Sequence, residues 1–210
     1  MTAPGPGRVY AGRTPEERRL DRRRRLMDAG LELFASRGYT ATSVERVCTA
    51  AGVTTRNFYE EFTGREALLA ALFEETSTLA LAAVQEALDA APQDPFARIE
   101  AACRALVGSI WADPRRAQVE YVQVPGVSQA IEGRRRRVWG ELIALTAREM
   151  DAATERGDLP ARDHRWTAVA AVGAANQMLH EWIRSADPGE RVPDAFTDEV
   201  VRLFSVIVRG

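Results

Sequence analysis

Apolar residues recur at helical spacing in successive segments of the chain, and Gly, Pro or capping residues separate one segment from the next. The segments begin near residues 14, 42, 54, 63, 94, 113, 128, 163 and 194. This pattern predicts an all-α protein of about nine helices.

Residues 42–62 organise the rest of the prediction, because they indicate two short helices joined by a tight turn. Thr42 followed by Glu45 forms a capping box, so we expect the first helix to begin there. Gly52 follows the last periodic residue, where a left-handed C-cap favours glycine. Thr54 is then placed to cap the second helix.

The second helix, Thr55 to about Glu61, has an apolar back formed by Phe58, with Phe62 beyond its end. The side chains expected to face outward are Thr55, Arg56, Asn57 and Tyr59. Arginine pairs with guanine, asparagine pairs with adenine, and hydroxyl groups contact phosphate, so this front suits reading of the DNA major groove. The alternative is an ordinary helical hairpin with a polar outer face.

The N-terminal segment combines an irregular arm with a basic helix. Residues 1–13 lack periodicity and predict a mobile arm, either a plain disordered tail or one that touches DNA. Thr14, Pro15 and Glu17 predict the start of a helix that runs to about Ser36. Its first turns carry Arg18, Arg19, Arg22, Arg23, Arg24 and Arg25. These arginines form either a solvated face paired with Glu17, Asp21 and Asp28, or contacts to the DNA backbone.

The remaining helices form a larger body. Thr63 and Glu66 predict another capping box, which opens a long helix to about Ala90 that links the two parts. The run 134–137 on a later helix is four arginines, for which a solvated or paired face is favoured over a second DNA patch. The last helix has an apolar stripe too broad for a free terminal helix, so we expect the last two helices to form a dimer interface. The alternative is that both pack within one subunit.

Composition narrows the class of protein. No apolar run reaches the roughly 18 residues that span a bilayer, and no signal peptide is visible at the start, so a cytoplasmic protein without membrane contact is expected. All 28 basic residues are arginine. Residues 1–65 carry a net charge of +4 and the remainder carries −6, which favours a polyanionic partner at one end.

The run at residues 37–72 resembles the N-terminal DNA-binding domain of TetR-family regulators: RGYTATSVERVCTAAGVTTRNFYEEFTGREALLAAL. The resemblance implies a three-helix unit that reads DNA through its third helix, and a fourth helix that joins it to a ligand-binding body. It also implies that Tyr59 contacts phosphate and that Arg65 stands where lysine is usual. Cys48 replaces a usual alanine. We therefore expect a flexible arm at 1–13, a helix-turn-helix domain at 14–62 and a ligand-binding and dimerisation domain at 63–210.

Candidate sites follow from the residue pattern and from the family resemblance. The expected DNA-binding residues are Thr42, Ser43, Thr54, Thr55, Arg56, Asn57, Tyr59 and Arg65. The candidate ligand pocket is formed by aromatic, soft and polar side chains of the body: Cys103, Trp111, Tyr121, Trp139, Met150, Asn176, Gln177 and His180. For each of these residues the alternative is packing in the core or at an interface. His164 and His180 have no further ligand at metal spacing, so no metal site or cofactor is expected.

The sequence therefore predicts a homodimeric transcriptional regulator, most simply a repressor that a small hydrophobic or amphipathic effector releases from a palindromic double-stranded DNA operator. No nucleophile elbow, phosphate-binding lysine motif or paired-cysteine motif is present, so no enzymatic activity is expected. Two alternatives are a regulator that responds to a protein partner or to nothing, and an all-α enzyme or carrier.

Overall fold

The computed structural model describes residues 14–185 and 194–209, and these residues form nine α-helices without a strand. The helices are α1 (Pro15–Arg37), α2 (Val44–Ala51), α3 (Thr55–Glu61), α4 (Arg65–Ala90), α5 (Pro95–Trp111), α6 (Pro114–Gln118), α7 (Gln129–Glu155), α8 (Arg165–Ser185) and α9 (Asp194–Arg209). A π-helical turn, Val119–Gln123, continues α6. The all-α prediction is confirmed. The arm expected at 1–13 lies outside the described residues.

Side-chain caps start the helices at most of the expected places. The Thr14 hydroxyl accepts a hydrogen bond from the Glu17 backbone N–H at 3.1 Å, and the Glu17 carboxylate accepts one from the Thr14 N–H at 2.6 Å. This capping box, with proline directly after it, satisfies donors that the first turn of α1 would otherwise leave unpaired. Asp94, Asp113 and Ser128 cap α5, α6 and α7 more simply, each through a side-chain oxygen that accepts a hydrogen bond from a backbone N–H in the first turn.

Two capping predictions were wrong. Thr42 does not cap α2, since its hydroxyl turns inward and donates to the carbonyls of Leu33 and Gly38, at 3.3 and 2.8 Å. Ser43 takes the cap instead, so α2 begins at Val44. At the start of α4, Gly64 is the N-cap residue and no side chain closes the turn, so the box expected at Thr63 does not form.

The core of the first four helices is closely packed and continues into the body. Phe34 of α1, Phe58 of α3 and Leu68 of α4 are fully buried in one apolar cluster that also includes Val124 and Ile131. At Gly30 the backbone of α1 approaches α4 so closely that an added Cβ would lie 2.7 Å from Leu68 Cδ2. Any larger residue at this position would require the buried Leu68 side chain to shift.

The body consists of α4, α5, α7, α8 and α9 packed around a second apolar region. Of the described helices, α4 alone has the length and apolar composition that could cross a membrane, and half of that stretch is buried inside the fold. It packs along α5 and also contacts α1 and α7. As expected, α4 therefore belongs to the cores of both parts of the molecule.

Candidate nucleic-acid interface and ligand cavity

The outer face of α3 is uncovered, as the sequence pattern predicted. The Arg56 side chain is 89% exposed and Tyr59 is 56% exposed, while Asn57 is partly exposed. On the opposite face, Phe58 is fully buried and Phe62 is 4% exposed. Two aromatic rings thus hold α3 from behind, and its polar front is free to meet another molecule.

The turn between α2 and α3 sets the direction of that front. Gly52 adopts the left-handed conformation with φ 60° and ψ 40°, as expected for the C-cap. The Thr54 hydroxyl then caps α3 by accepting from the Asn57 N–H at 3.2 Å. Two exposed threonines, Thr54 and Thr55, therefore stand at the N-terminus of α3, where unpaired N–H groups and the helix dipole favour an anion such as phosphate.

Three arginines of α1 contact the C-terminal ends of α2 and α3. Arg22 lies 3.7 Å from the carboxylate of Glu61, whose side chain is only 2% exposed. Arg23 donates to the Glu61 carbonyl at 3.4 Å and its guanidinium stands 4.5 Å from the centre of the Phe62 ring. Arg25 donates to the Ala51 carbonyl at 3.2 Å. The C-terminal ends of α2 and α3 are thus fastened to α1.

The remaining basic side chains of α1 face outward. Arg18, Arg19 and Arg24 are exposed, whereas the expected pairing of the arginines within α1 is seen for Arg25 and Asp21 at 3.3 Å. The six arginines therefore divide into a group that contacts α2 and α3 and a group that is available to a polyanion. Neither a solvated, paired face nor a set of contacts to the DNA backbone, the two alternatives considered from the sequence, describes all six arginines.

Arg65, at the start of α4, contacts the loop that precedes α2. Its Nη1 donates to the carbonyls of Tyr39, Thr40 and Thr42 at 3.2, 3.2 and 3.0 Å. The guanidinium also stands 4.6 Å from the centre of the Tyr39 ring. A phosphate contact by Arg65 would have to use its other N–H groups.

Thr42 cannot belong to the interface in this conformation, because its side chain is fully buried and both of its hydrogen bonds are internal. The expectation that it binds DNA is corrected on that ground. Its neighbour Ser43 remains partly exposed at the start of α2, with its hydroxyl accepting from the Arg46 N–H at 3.3 Å.

A cavity of about 70 Å³ lies in the body, between α4, α5, α7, α8 and α9. A single water molecule requires roughly 10–15 Å³ in such a cavity, so the space holds several waters or an apolar group. Four of the candidate pocket residues line it: Cys103, Trp139, Met150 and Asn176. Most of the other lining side chains are aliphatic.

The other four candidates do not line this cavity. Tyr121 is buried in a separate apolar cluster around the π-helical turn, and Trp111 packs against that cluster. Gln177 lies on the exposed face of α8, where it donates to Glu181 at 3.2 Å. His180 is partly buried outside the cavity lining. Their inclusion in the pocket is corrected, since none of the four is among the residues that line this cavity.

The cavity wall also contains an ion pair that the sequence did not reveal. Arg98 Nε lies 2.6 Å from the Glu149 carboxylate, and Arg98 Nη1 donates to the Leu88 carbonyl at 2.8 Å. The partners are 51 residues apart, so no spacing rule could have paired them. Burial raises the pKa of the Cys103 thiol to about 12, so this wall residue is a neutral thiol at physiological pH.

The segment from α6 to α7 joins the body to the N-terminal unit formed by α1, α2 and α3, here called the DNA-reading unit because it contains the candidate interface. Gln123, at the end of the π-helical turn, accepts a hydrogen bond from the Tyr39 N–H at 2.9 Å. Ser128 donates to Glu66 of α4 at 2.7 Å. Arg134 pairs with Glu74 of α4. Polar bonds thus connect the start of α7 both to the loop after α1 and to α4.

Comparison with known proteins agrees with this arrangement. Residues 26–72 match the family model described as "Bacterial regulatory proteins, tetR family". No curated protein sequence matches the chain.

Solved structures of the same fold cover nearly all of the chain. The fatty acid degradation regulator FadR from Bacillus halodurans is 18% identical with a TM-score of 0.76, over 92% of this chain and 96% of that one. FadR from Bacillus subtilis, in complex with stearoyl-CoA, is 17% identical with a TM-score of 0.75, over 89% and 98%. AibR, in complex with isovaleryl coenzyme A and operator DNA, is 16% identical with a TM-score of 0.68, over 87% and 97%. At such identities the likeness shows the fold.

Proposed function

We propose that the chain, whose residues 26–72 match the TetR-family model, is a cytoplasmic, homodimeric TetR-family repressor that a small effector releases from a palindromic operator. The observation that carries the proposal is the uncovered polar front of α3, held from behind by Phe58 and Phe62. The DNA-binding unit comprises residues 14–62, and residues 63–210 form the ligand-binding and dimerisation part.

Base reading is assigned to Arg56 and Asn57, and phosphate contact to the hydroxyl groups around them. Arg56 is almost fully exposed and, among the residues that the structure describes, it pairs with Glu60 at 3.6 Å on the same helix. Such an exposed pair contributes little, about 0–1 kcal/mol, so the guanidinium can exchange Glu60 for a guanine edge at small cost. Ser43, Thr54, Thr55 and Tyr59 supply the phosphate contacts, which fix register but carry no base information.

The dimer is assigned to α8 and α9. On α9, Val200 and Val208 are buried within the subunit, yet Val206 is 54% exposed and Leu203 and Ile207 are only partly covered. On α8, Gly173 is exposed with open space around it, so another helix can approach closely. A second copy of the same pair would complete a four-helix bundle about a two-fold axis. The two α3 helices would then read half-sites about one DNA turn apart, ~34–36 Å.

The effector is assigned to the body cavity. Its aliphatic lining, with a few polar groups, is the usual composition of a small-molecule site. The acyl-coenzyme A complexes of the FadR and AibR structures support an apolar or amphipathic effector here. A cavity in the body also favours a ligand-controlled regulator over one that responds only to a protein partner or to nothing.

Release from DNA requires the effector to favour a body conformation in which the distance between the two α3 helices no longer matches the spacing of the half-sites. The lining includes Val84 and Leu88 of α4, the helix that begins at Arg65 beside the DNA-reading unit. A displacement of α4 would also change the bonds from Gln123 and Ser128 to that unit. Nearly complete switching, from 1:99 to 99:1, needs a preference of about 5.5 kcal/mol between the two states.

The deciding experiment selects bound duplexes from a pool of random double-stranded DNA. We expect recovery of a two-fold symmetric sequence whose half-sites are centred about one helical turn apart. Recovery of unrelated sequences, or binding that does not weaken with added salt, would contradict the proposed function, because phosphate contacts release counterions.

A further inference from the structure

The π-helical turn Val119–Gln123 takes part in two apolar clusters of the protein. Val119, with Val124 directly after the turn, is buried in the cluster that holds the first four helices. Tyr121 is buried in a second cluster, together with Leu179 of α8. Turns of this kind are rare and are frequent at functional sites. The turn is therefore a joint, because its packing sets how the DNA-reading unit meets the body.

Glu120, within the joint, is a buried carboxyl group without a bonded partner. The residue is 8% exposed, and its Oε2 accepts no hydrogen bond from the described residues. The nearby cation is Arg135 of α7, but Arg135 donates to both carboxylate oxygens of Glu132, at 3.2 and 3.0 Å. Glu132 also accepts from the Gly126 N–H at 2.9 Å, in the loop that follows the joint. Burial raises the pKa of Glu120 to about 7, although Arg135 opposes the shift, so the group is neutral below that pH.

Helices α1, α4, α6 and α8 also pack against the joint. The ionisable groups that they bring to this part of the molecule are Glu32, Glu66, Glu75, Arg115, Arg116 and His180. The carboxylates and guanidinium groups of this set are bonded: Arg115 to Glu32, Arg116 to Glu75, and Ser128 to Glu66. The phenol of Tyr121 is fully enclosed, and burial raises its pKa, so it stays neutral. Among the described acids at the joint, Glu120 is thus the one that no cation or donor satisfies.

We propose that loss of the proton from Glu120 loosens the joint and thereby weakens operator binding. While the carboxyl group is neutral, Arg135 stays with Glu132 and the joint stays packed. An ionised Glu120 competes for Arg135, and its buried charge is relieved when the joint opens to water. The orientation of α3 relative to the body is then less well fixed. The effect on DNA rests on the proposed function, whereas the opening of the joint does not.

Closing the joint takes up a proton at neutral pH. The pKa of Glu120 is about 7 in the closed joint, whereas a solvated glutamate has a pKa of about 4.5. The closed joint is therefore favoured by the proton below this window, and that contribution is lost as the pH rises through about 7. The equilibrium constant for opening should rise about tenfold between about pH 6 and about pH 8.

Hydrogen exchange of the DNA-free protein measures this opening without an operator. Two amides report on the joint: the Tyr39 N–H donates to Gln123 Oε1 at 2.9 Å, and the Val124 N–H donates to the Val119 carbonyl at 2.9 Å. After correction for intrinsic exchange, both should open about tenfold more at about pH 8 than at about pH 6. The hydrogen-bonded Val53 N–H, in the turn between α2 and α3, should not share the rise. An equal rise at Val53, or no rise at the two reporters, would overturn the inference.

Substitutions identify the titrating group. Glu120→Gln is neutral at every pH and should abolish the rise. Glu132→Gln frees Arg135 for Glu120, so the rise should move to lower pH by about half a unit or more, while Glu141→Gln, an exposed acid of the same helix, should not move it. His180→Gln is a second control, because histidine side chains commonly titrate near neutral pH. A rise that persists in Glu120→Gln or vanishes in His180→Gln would overturn the inference, and an unmoved rise in Glu132→Gln would reject the competition for Arg135.

Operator binding is measured by fluorescence anisotropy at constant ionic strength, with the duplex recovered by selection. Between about pH 6 and about pH 8 the unsubstituted protein should lose at least about threefold more affinity than Glu120→Gln. Parallel affinity profiles beside a joint that opens with pH would contradict the link to DNA. A joint that opens with pH in a protein that binds no duplex would uphold the role of Glu120 and contradict the proposed function.

Discussion

The ion pair between Arg22 of α1 and Glu61 of α3 should stabilise the DNA-reading unit more than any other arginine contact of α1. The Glu61 side chain is 2% exposed, and its Oε1 accepts no hydrogen bond from the described residues. Arg22 at 3.7 Å supplies an opposite charge to this oxygen. Two unit charges at this distance attract by about 4 kcal/mol at an effective dielectric constant of about 20. Removal of one partner of a buried pair costs about 3–5 kcal/mol.

Arg22→Met keeps much of the apolar stem and removes the charge. Because Arg22 is itself a quarter exposed, we expect a loss below that range, about 2–3 kcal/mol in the free energy of unfolding. For a chain of this length each kcal/mol lowers the melting temperature by about 2–4 °C. Urea denaturation and thermal melting of the DNA-free protein measure both quantities, with protein concentration held constant because any association of subunits would shift the apparent stability.

Arg24→Met is the matched control, since Arg24 lies on the exposed side of the same turn. Its stability should change by less than about 0.5 kcal/mol. The double variant Arg22→Met with Glu61→Leu should recover most of the loss, because an apolar pair can replace a buried ion pair at little cost. Equal losses in Arg22→Met and Arg24→Met, or no recovery in the double variant, would refute the account of how α3 is held.

Three further predictions concern base reading, helix packing and pH. Arg56→Ala should weaken operator binding by about 1–3 kcal/mol in a titration by fluorescence anisotropy, with a smaller loss on random DNA; equal losses on both would contradict its reading role. Gly30→Val should cost roughly 1–3 kcal/mol in urea denaturation because its side chain overlaps Leu68, whereas Gly140→Val, which meets open space, should cost less. Burial raises the pKa of Glu120 from 4.5 to about 7, so the folded protein holds a proton that the unfolded chain has released between these values. Stability should therefore fall as the pH rises through this window, by up to ~3 kcal/mol, and Glu120→Gln should remove that part of the fall; an unchanged pH profile in Glu120→Gln would reject the assignment.

Local sequence signals predicted the helices well because the groups that start and end a helix lie within a few residues of each other. Thr14, Asp94 and Ser128 cap the helices that follow them, and Gly52 turns the chain between α2 and α3. Thr42 shows the limit of such rules. Its hydroxyl meets two carbonyls at the end of α1 and not the helix it precedes, and a spacing rule cannot weigh that alternative.

The cavity was predicted less completely than the front of α3. Trp139, Met150 and Asn176 line it, but Tyr121 and His180 face elsewhere, because residues on one helix diverge by about 100° per position and small differences in helix rotation decide which of them face a given neighbour.

The amino-acid order was sufficient for most of the helix boundaries and for a short helix with phenylalanine behind and arginine, asparagine and hydroxyls in front, since both follow from contacts within about four residues. Packing of distant segments decided the rest. It assigned three of the arginines of α1 to the ends of α2 and α3, joined Arg98 to Glu149, and left Asn176 Oδ1 without a donor beside a cavity. Such pairings depend on which helix faces meet. The orientation of each helix is set by close packing across the whole apolar core and not by residues near it in the sequence.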